Sequence, residues 1–394
     1  MKQQLNIGLF GFGVVGNGLY EVLQKSRTTH AEIRKICVKN RTKRRQAPES
    51  LFCFDPSEIL DDSEINLVVE LIDDADAAYG IVKSALLKGK SVVSGNKKML
   101  AVHLPELIEL QNKYGVGLLY DASACGSIPV IRNLEEYYDN DLLQSVTGIL
   151  NGSSNYILSR MFSQNLDYRE ALFGAQELGF AESDPFYDVE GLDALYKLVI
   201  ITVHAFGVYI APEQIFHSGI SKISEYDIGF AKEKGSKIKL VARVLKTGPG
   251  KISLSVIPMF VKPEKYIFNV EDEFNGVVIK GAFYDKQFMF GKGAGGFPTG
   301  SAVLSDITAR GYNYRYEYKK MKQQPDLKLD NDHVVKIYLR FTDKKDLDIY
   351  SFESILEQHF AEGFNYVIGK ISLEALFKAR PEMSTKDIFL AEIS

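Results

Sequence analysis

The stretch LNIGLFGFGVVGNGLYEVL (Leu5–Leu23) reads as an apolar strand, a glycine turn and then a helix. Gly11, Gly13 and Gly16 match GxGxxG in the setting that motif requires, after a strand and at the opening of an amphipathic helix. The first glycine permits a tight turn, the second lets a pyrophosphate approach the backbone, and the third lets helix and strand pack closely. The helix N-terminus then faces the phosphates. Phe12, Val14 and Val15 complete this candidate cofactor loop. The blander alternative is a glycine-rich turn without a ligand.

Moving outward, a second strand is expected over 32–38. An NAD-specific site usually ends such a strand on Asp or Glu, to bind the ribose 2′-hydroxyl. Here the strand runs into Lys39, Asn40, Arg41, Thr42, Lys43, Arg44 and Arg45. Lys39 and Arg41 are therefore candidates to meet a 2′-phosphate, which favours NADP while leaving NAD possible; the alternative is a solvated basic loop. A strand over 66–72, a helix over 77–87 and a strand over 91–94 continue the βαβ alternation of a parallel sheet. Loops at the C-terminal ends of such strands face the ligand crevice, which marks Ser94, Asn96 and Lys97. A plain surface lysine beside Lys98 is the competing reading for Lys97.

The pattern changes from about Leu143. SVTGIL suggests a strand, NGSSNY a turn, and YILSRMF the start of a helix. The segment AQELGFAESDPFYDVEGLDALYK (Ala175–Lys197) then sets Glu182, Asp184, Asp188 and Asp193 ahead of one lysine. Asp193 and Lys197 stand at i, i+4 on a helix expected over 192–206, which permits a simple surface pair. That helix is apolar almost all round, however, and a buried lysine needs a reason. A buried lysine can polarise a carbonyl or move a proton, and carboxylates beside it suit a substrate with an amino group. KIKLVARVL, KISLSVIPMFVK and GVVIKGAFYDKQFMF alternate as strands of a mixed sheet. The glycine-dense run Gly291–Gly300 precedes a helical segment and is expected to return the chain to the nucleotide domain, with Gly293 and Gly295 near the cofactor.

At 394 residues the chain has room for two or three domains. Its 47 basic and 51 acidic residues carry no nucleic-acid signal. Cys37, Cys53 and Cys125 are scattered without a CxxC, so neither a disulfide framework nor a zinc site is indicated. Met1 leads directly into the first strand with no signal-peptide pattern. The apolar stretch 195–211 carries Lys197 and His204 and is too short to cross a bilayer. A cytoplasmic protein without a membrane or nucleic-acid partner is expected.

Together these residues resemble homoserine dehydrogenase. Its acidic signature is met at Ala175, Gly179, Asp184, Pro185, Asp188, Gly191, Asp193 and Lys197, and GFGVVG, SGNKKML, LNGSSNY and GKGAGGFPTGSAV follow in the family's order. The resemblance covers about residues 5–315. It implies NAD(P)-dependent interconversion of L-homoserine and L-aspartate 4-semialdehyde, a small-molecule substrate, in threonine and methionine biosynthesis. It also implies Lys97 as general acid/base, Lys197 as its partner, and Gly152, Ser153, Glu182, Asp188 and Asp193 as the groups that hold the amino acid. A monovalent cation such as sodium is implied near Asp121, Ala124, Gly126 and Ile128, although the family usually has Glu where Asp121 stands. Asp73-Asp74 depart from the usual glycines and are expected to point outward or face the ribose.

The fold expected is α/β. A Rossmann-type parallel-sheet domain (1–135, completed by about 291–320) joins an α+β catalytic and dimerisation domain with a mixed sheet (136–290). A linker and a short βαβ-like tail resembling an ACT regulatory domain follow (321–394), with HVVKIYLRF, SFESILEQHF and NYVIGKISLEAL read as strand, helix, and strand then helix. The resemblance points to the monofunctional form, as a homodimer or homotetramer. Two rivals stand beside it: a cysteine-dependent aldehyde dehydrogenase using Cys125, with His103 the nearest histidine, and a catalytically silent NADP-binding regulatory protein.

Overall fold

The computed structural model describes residues 4–27, 30–323, 326–361 and 364–393. The chain divides into two compact units. One comprises the residues up to Asp139 with Val199–Tyr209 and Lys292–Gln323; the other comprises Asn140–Leu198, Ile210–Gly291 and the residues from Gln324 onward.

In the first unit, β1 (Leu5–Phe10), β2 (Ala31–Cys37), β3 (Phe52–Cys53), β4 (Leu67–Glu70), β5 (Ser91–Ser94) and β6 (Leu118–Leu119) form one sheet. Its strand order is β3-β2-β1-β4-β5-β6, with every pair parallel. This is the order of a doubly wound nucleotide fold, whose crevice opens at the carboxyl ends of the strands. LVVE and SVVS are buried throughout, as strands covered on both faces must be. The connecting helices are α1 (Val14–Lys25), α2 (Ser57–Leu60), α3 (Ala75–Leu87) and α4 (Lys97–Tyr114), followed by the short α5 (Ala122–Cys125) and α6 (Val130–Glu136).

The second unit begins with β7 (Leu143–Ile149), α7 (Gly152–Gln164), α8 (Tyr168–Glu177) and α9 (Phe186–Val189). After α10 (Leu192–Phe206) come β8 (Phe216–His217), α11 (Glu225–Glu233), β9 (Lys237–Gly248), β10 (Lys251–Val261), β11 (Phe274–Gly281) and β12 (Lys286–Lys292). The chain then returns to the first unit as α12 (Gly296–Arg310) and α13 (Lys319–Gln323). There α12 packs on α1 so closely that a Cβ on Gly18 would lie 2.2 Å from the Gly296 carbonyl oxygen.

The tail contributes β13 (Lys328–Leu329), β14 (Val334–Phe341), β15 (Ser354–Ala361), β16 (Phe364–Ser372), α14 (Leu373–Met383) and β17 (Phe389–Ile393). The large sheet of the second unit runs β12-β11-β7-β9-β10-β17-β14-β16-β15.

Three expectations change. The helix α10 occupies the expected residues, but its second half belongs to the first unit. The reason is His204, buried there and hydrogen-bonded through its two ring nitrogens to Glu135 Oε2 (2.8 Å) and the Tyr120 hydroxyl (2.8 Å). The tail is not a separate appendage. Its β17 pairs in parallel with β10 (Met259↔Glu392) and antiparallel with β14, and Phe216 and Ile257 share one apolar core with Ile337, Leu339, Ile371 and Leu390. Finally, SFESILEQHF is a strand rather than a helix. Pairing with β16 from Ser354↔Lys370 to Ala361↔Phe364 supplies the backbone with partners, and such pairing overrides local helix propensity. Just before the expected linker the chain is held firmly. Lys320 is buried and donates to the carbonyls of Leu134 (2.9 Å) and His204 (2.8 Å). Gln324 and Pro325 lie outside the described residues, as do Met1–Gln3.

Candidate active site

The crevice end of the first unit is shaped by backbone. Gly11 sits at φ +92°, and a Cβ there would lie 2.5 Å from the Leu71 carbonyl oxygen, so position and partner both demand glycine. Gly13 differs. It is the N-cap of α1, offers no capping side chain, and an added Cβ would meet nothing within 4 Å. The space above it is not filled by the protein's own packing. With no acidic residue in the first turn of α1, this is a cradle that fits a pyrophosphate. Phe12 is buried edge-on against Tyr20 and Phe52, whereas Val14 is 75% exposed at the rim.

Beyond β2, Lys39 forms an ion pair with Asp74 (3.6 Å), and Arg41 lies over the Phe54 ring. Asp74 also caps α3, accepting from the Ala77 N–H (3.0 Å), a bond that draws its pKa below the usual carboxylate range. Asp73 and Asp74 are both exposed, and Asp74 in addition caps the start of α3 and pairs with a cation.

A buried polar chain links β4, β5 and α4. The Ser94 hydroxyl donates to Glu70 Oε2 (2.6 Å), the Ile72 N–H donates to Glu70 Oε1 (2.7 Å), and the Asn96 N–H donates to Ser94 Oγ (3.2 Å). Asn96 caps α4 by accepting from the Met99 N–H (2.9 Å), while its amide donates to the Ile72 carbonyl (3.0 Å). Lys97 is the first residue of that helix. Burial pushes the Glu70 carboxyl up to about 7, against the lowering pull of Ser94 and the Ile72 N–H. Ser94 and Asn96 thus set the loops rather than offering open groups. Glu70 went unnoticed in the sequence, since one acid at the end of an apolar strand carries no motif.

The residues proposed for a cation serve other partners. Asp121 Oδ1 accepts from the Ile131 (2.8 Å) and Arg132 (3.2 Å) N–H groups. The Asp121 N–H donates to Asp306 Oδ2 (2.9 Å), and Asp306 Oδ1 takes the Arg132 guanidinium. The Ile128 carbonyl accepts from the Val130 N–H. Gly126, at φ +54°, is pressed against Gly293: a Cβ would lie 2.5 Å from the Gly293 carbonyl oxygen. Ala124 is fully buried. Arg132 supplies the positive charge here, and no group of three or more His, Cys, Asp or Glu among the described residues is placed to hold a metal. Asp121 is thus part of an internal ion cluster with Arg132 and Asp306. Gly295, at φ +117°, is the N-cap of α12.

The second unit is built the other way, from side chains. The strand β7 ends at Ile149, Leu150 follows, and Asn151 caps α7 by accepting from the Ser154 N–H (2.8 Å). The Asn151 amide donates to Asp188 Oδ1 (2.7 Å) and Asp193 Oδ2 (2.9 Å). Lys197 Nζ donates to the Leu150 carbonyl (2.7 Å) and pairs with Asp193 Oδ2 (2.7 Å), with both side chains under 10% exposed. The pair is therefore not a surface bridge. An ammonium has three N–H groups, and these contacts use two. Two carboxylates against one lysine leave the cluster one charge negative. Burial raises the pKa of Asp188, and the neighbouring Asp193 raises it further.

Gly152 begins α7 against the Glu273 carbonyl, leaving no room for a Cβ, and Ser153 Oγ donates to the Phe180 carbonyl (2.5 Å). Glu182 is not brought in. It is exposed, and its backbone carbonyl accepts from Gln176. Asn151 was missed, although an Asn directly before a helix is an N-cap signal. All three cysteines are buried and none forms a disulfide, and burial pushes the Cys53 thiol up to about 12.

Two family models match: "Homoserine dehydrogenase, NAD binding domain" over residues 11–121 and "Homoserine dehydrogenase" over residues 129–308. A homoserine dehydrogenase from Helicobacter pylori is 38% identical over 314 residues, 78% of this chain and 74% of that one. The crystal structure of one from Thiobacillus denitrificans superposes with a TM-score of 0.85 at 29% identity, covering 100% of this chain and 98% of the other. A hyperthermophilic archaeal homoserine dehydrogenase in complex with NADPH gives 0.68 at 27% identity, covering 80% of this chain and 99% of the other. A nucleotide crevice shaped by glycine, a buried lysine–carboxylate cluster and these matches lead to one conclusion: the chain belongs to the homoserine dehydrogenase family, oxidoreductases acting on a CH–OH group.

Proposed function

We propose that the chain reduces L-aspartate 4-semialdehyde to L-homoserine, reversibly and with NADP in preference to NAD, through Lys97 and Lys197. The observation that carries this reading is the Asn151–Asp188–Asp193–Lys197 cluster, whose single excess negative charge suits a substrate ammonium. Bound NADP supplies hydride exchange at the substrate carbon. Lys197, held by Asp193 and the Leu150 carbonyl, turns its remaining N–H to the substrate oxygen and stabilises the charge that develops there. Lys97 gives that oxygen its proton on reduction and takes it back on oxidation. Asp188 receives the ammonium, with Gly152 and Ser153 lining the approach.

The preference for NADP is supported by Lys39 and Arg41 and by the absence of an acid where β2 ends. The archaeal relative solved with NADPH agrees with it. No helix among the described residues is long and apolar enough to cross a membrane, and a cytoplasmic enzyme of threonine and methionine biosynthesis is the corresponding reading. A homodimer is supported by the aromatic face around the edge strand β12, where Phe288 and Phe290 stack on Tyr266 and Phe274 yet stay largely exposed.

Initial rates of NADPH and NADH oxidation with L-aspartate 4-semialdehyde, run beside Lys97→Ala and Lys197→Ala, test the reading. Turnover with NADPH that collapses in both variants supports it. Full activity in either variant removes that lysine from the mechanism.

A further inference from the structure

A cavity in the second unit, of about 440 Å³, is lined by none of the residues of the lysine–carboxylate cluster. Its volume falls within the range of small-molecule sites. Its lining comes from α14 of the tail, from the α9 segment and from the turn after β8. Three charged residues line it: Arg380, Lys222 and Glu190. The Arg380 guanidinium donates to His217 Nε2, an imidazole kept neutral because burial and Arg380 itself hold its pKa down at about 4. Among the described residues no carboxylate lies within 4 Å of Arg380, whose own pKa is lowered by burial. The half-buried guanidinium thus faces the cavity with a neutral hydrogen-bond partner, and Glu190 offsets its charge only from beyond 4 Å.

The rest of the lining sets the ligand class. Two cations against one acid leave a single positive charge, which a monoanion neutralises and a dianion overshoots. Phe186, Met383 and Phe389 give the walls an apolar surface. We propose that this cavity binds a small monocarboxylate with an apolar body, its carboxylate on Arg380, and that occupancy is felt at Asp188.

The second part follows from backbone contacts and rests on the role given above to Asp188. Phe186 and Glu190 line the cavity and bracket Asp188 on α9. The turn after His217 grips that helix: the Ile220 N–H donates to the Val189 carbonyl (2.7 Å), and a Cβ on Gly219 would lie 2.2 Å from the same oxygen. A ligand that draws α14 toward this turn therefore presses on the element that carries the carboxylate.

Calorimetry on the full chain, without substrate, would compare 3-methylbutanoate, its neutral amide and inorganic phosphate. The carboxylate is expected to bind at least about tenfold more tightly than the amide or phosphate. Arg380→Met should lose that preference while turnover without added carboxylate stays at the parent level. Saturating carboxylate should shift KM for the aldehyde in the parent and leave Arg380→Met unmoved. Equal binding of amide and carboxylate, preference for phosphate, or no heat at all overturns the site, and the parent comparison decides this even if the variant fails to fold. A KM shift that survives in Arg380→Met places the carboxylate in the substrate cluster and overturns the proposal. An unmoved KM despite binding overturns the link to Asp188. Because heat is read without substrate, these outcomes stand apart from any failure of the lysine roles.

Discussion

The two ends of this molecule that handle charge do so by opposite means. In the first unit the crevice is made of backbone, with a bare helix N-terminus over Gly13 and a turn that only glycine can make at Gly11. In the second, charge is held by side chains buried against one another, with Asn151 bridging two carboxylates and Lys197 tied on both sides. A backbone site costs little to keep empty, because its N–H groups stay near water. A buried ionic cluster is expensive unless every partner is present. The first should therefore tolerate loss of a ligand contact with its stability intact, and the second should not.

The sharpest way to break this comparison is Lys197→Met. Turnover is expected to fall about 10³-fold, and removing one partner of a buried pair is expected to cost about 3–5 kcal/mol of stability. Adding Asp193→Asn should recover much of the stability and none of the activity, as read by denaturant titration and steady-state rates. Recovery of both would make the pair merely structural.

Next in size is Glu70, a buried carboxyl at the end of β4 beside the backbone-built crevice. Its carboxyl lies near 7 in the folded chain against an ordinary 4.5, so the native state holds the proton more tightly than the unfolded state does. The contribution is full below pH 4.5 and is lost as pH rises to about 7, a change of about 3 kcal/mol. Thermal melts of Glu70→Gln between pH 4.5 and 7.5 should therefore show a flatter dependence than the parent. Parallel curves would mean that Glu70 titrates normally.

The crevice itself is tested by two alanines. Gly13→Ala should leave the melting temperature unchanged while raising KM for the dinucleotide about tenfold. Gly11→Ala should instead cost on the order of 2 kcal/mol of stability through its positive φ and the Leu71 carbonyl. The smallest effect belongs to Lys39→Gln. Its ion pair with Asp74 is largely exposed and contributes little to folding. The ratio of kcat/KM for NADPH over NADH should nonetheless fall about fivefold. An unchanged ratio would return the selection of cofactor to Arg41 and its neighbours.

The same contrast explains what was legible in the residues alone. A backbone site advertises itself through glycine spacing, so the β1–α1 loop was readable at once, and α10 was placed at Leu192–Phe206 from its apolar run. The i, i+4 spacing of Asp193 and Lys197 showed that they meet; their burial completed the argument. Asn151 was harder, because it reaches residues 37 and 42 positions further on. Glu182 shows the reverse: it shares a motif with Asp188, but the loop between them turns it to solvent. Asp121 and Asp306 meet across 185 residues, and His204 crosses a unit boundary in mid-helix. The strand at Ser354–Ala361 owes its conformation to a neighbour rather than to its own composition.

The close packing of α12 on α1 bears on how the chain folds in time. The backbones of Gly296 and Gly300 rest against Gly18 and Leu19, more than two thirds of the chain length away in sequence. The residues up to Asp139 thus hold six parallel strands yet lack the helix that covers α1, so this early block cannot finish alone. Each unit waits on sequence that lies beyond the other, which makes loop closure across long separations a late and slow event. Partly assembled chains expose uncovered helix faces and unpaired strands meanwhile, and the yield of refolding, more than the final stability, should depend on chain concentration.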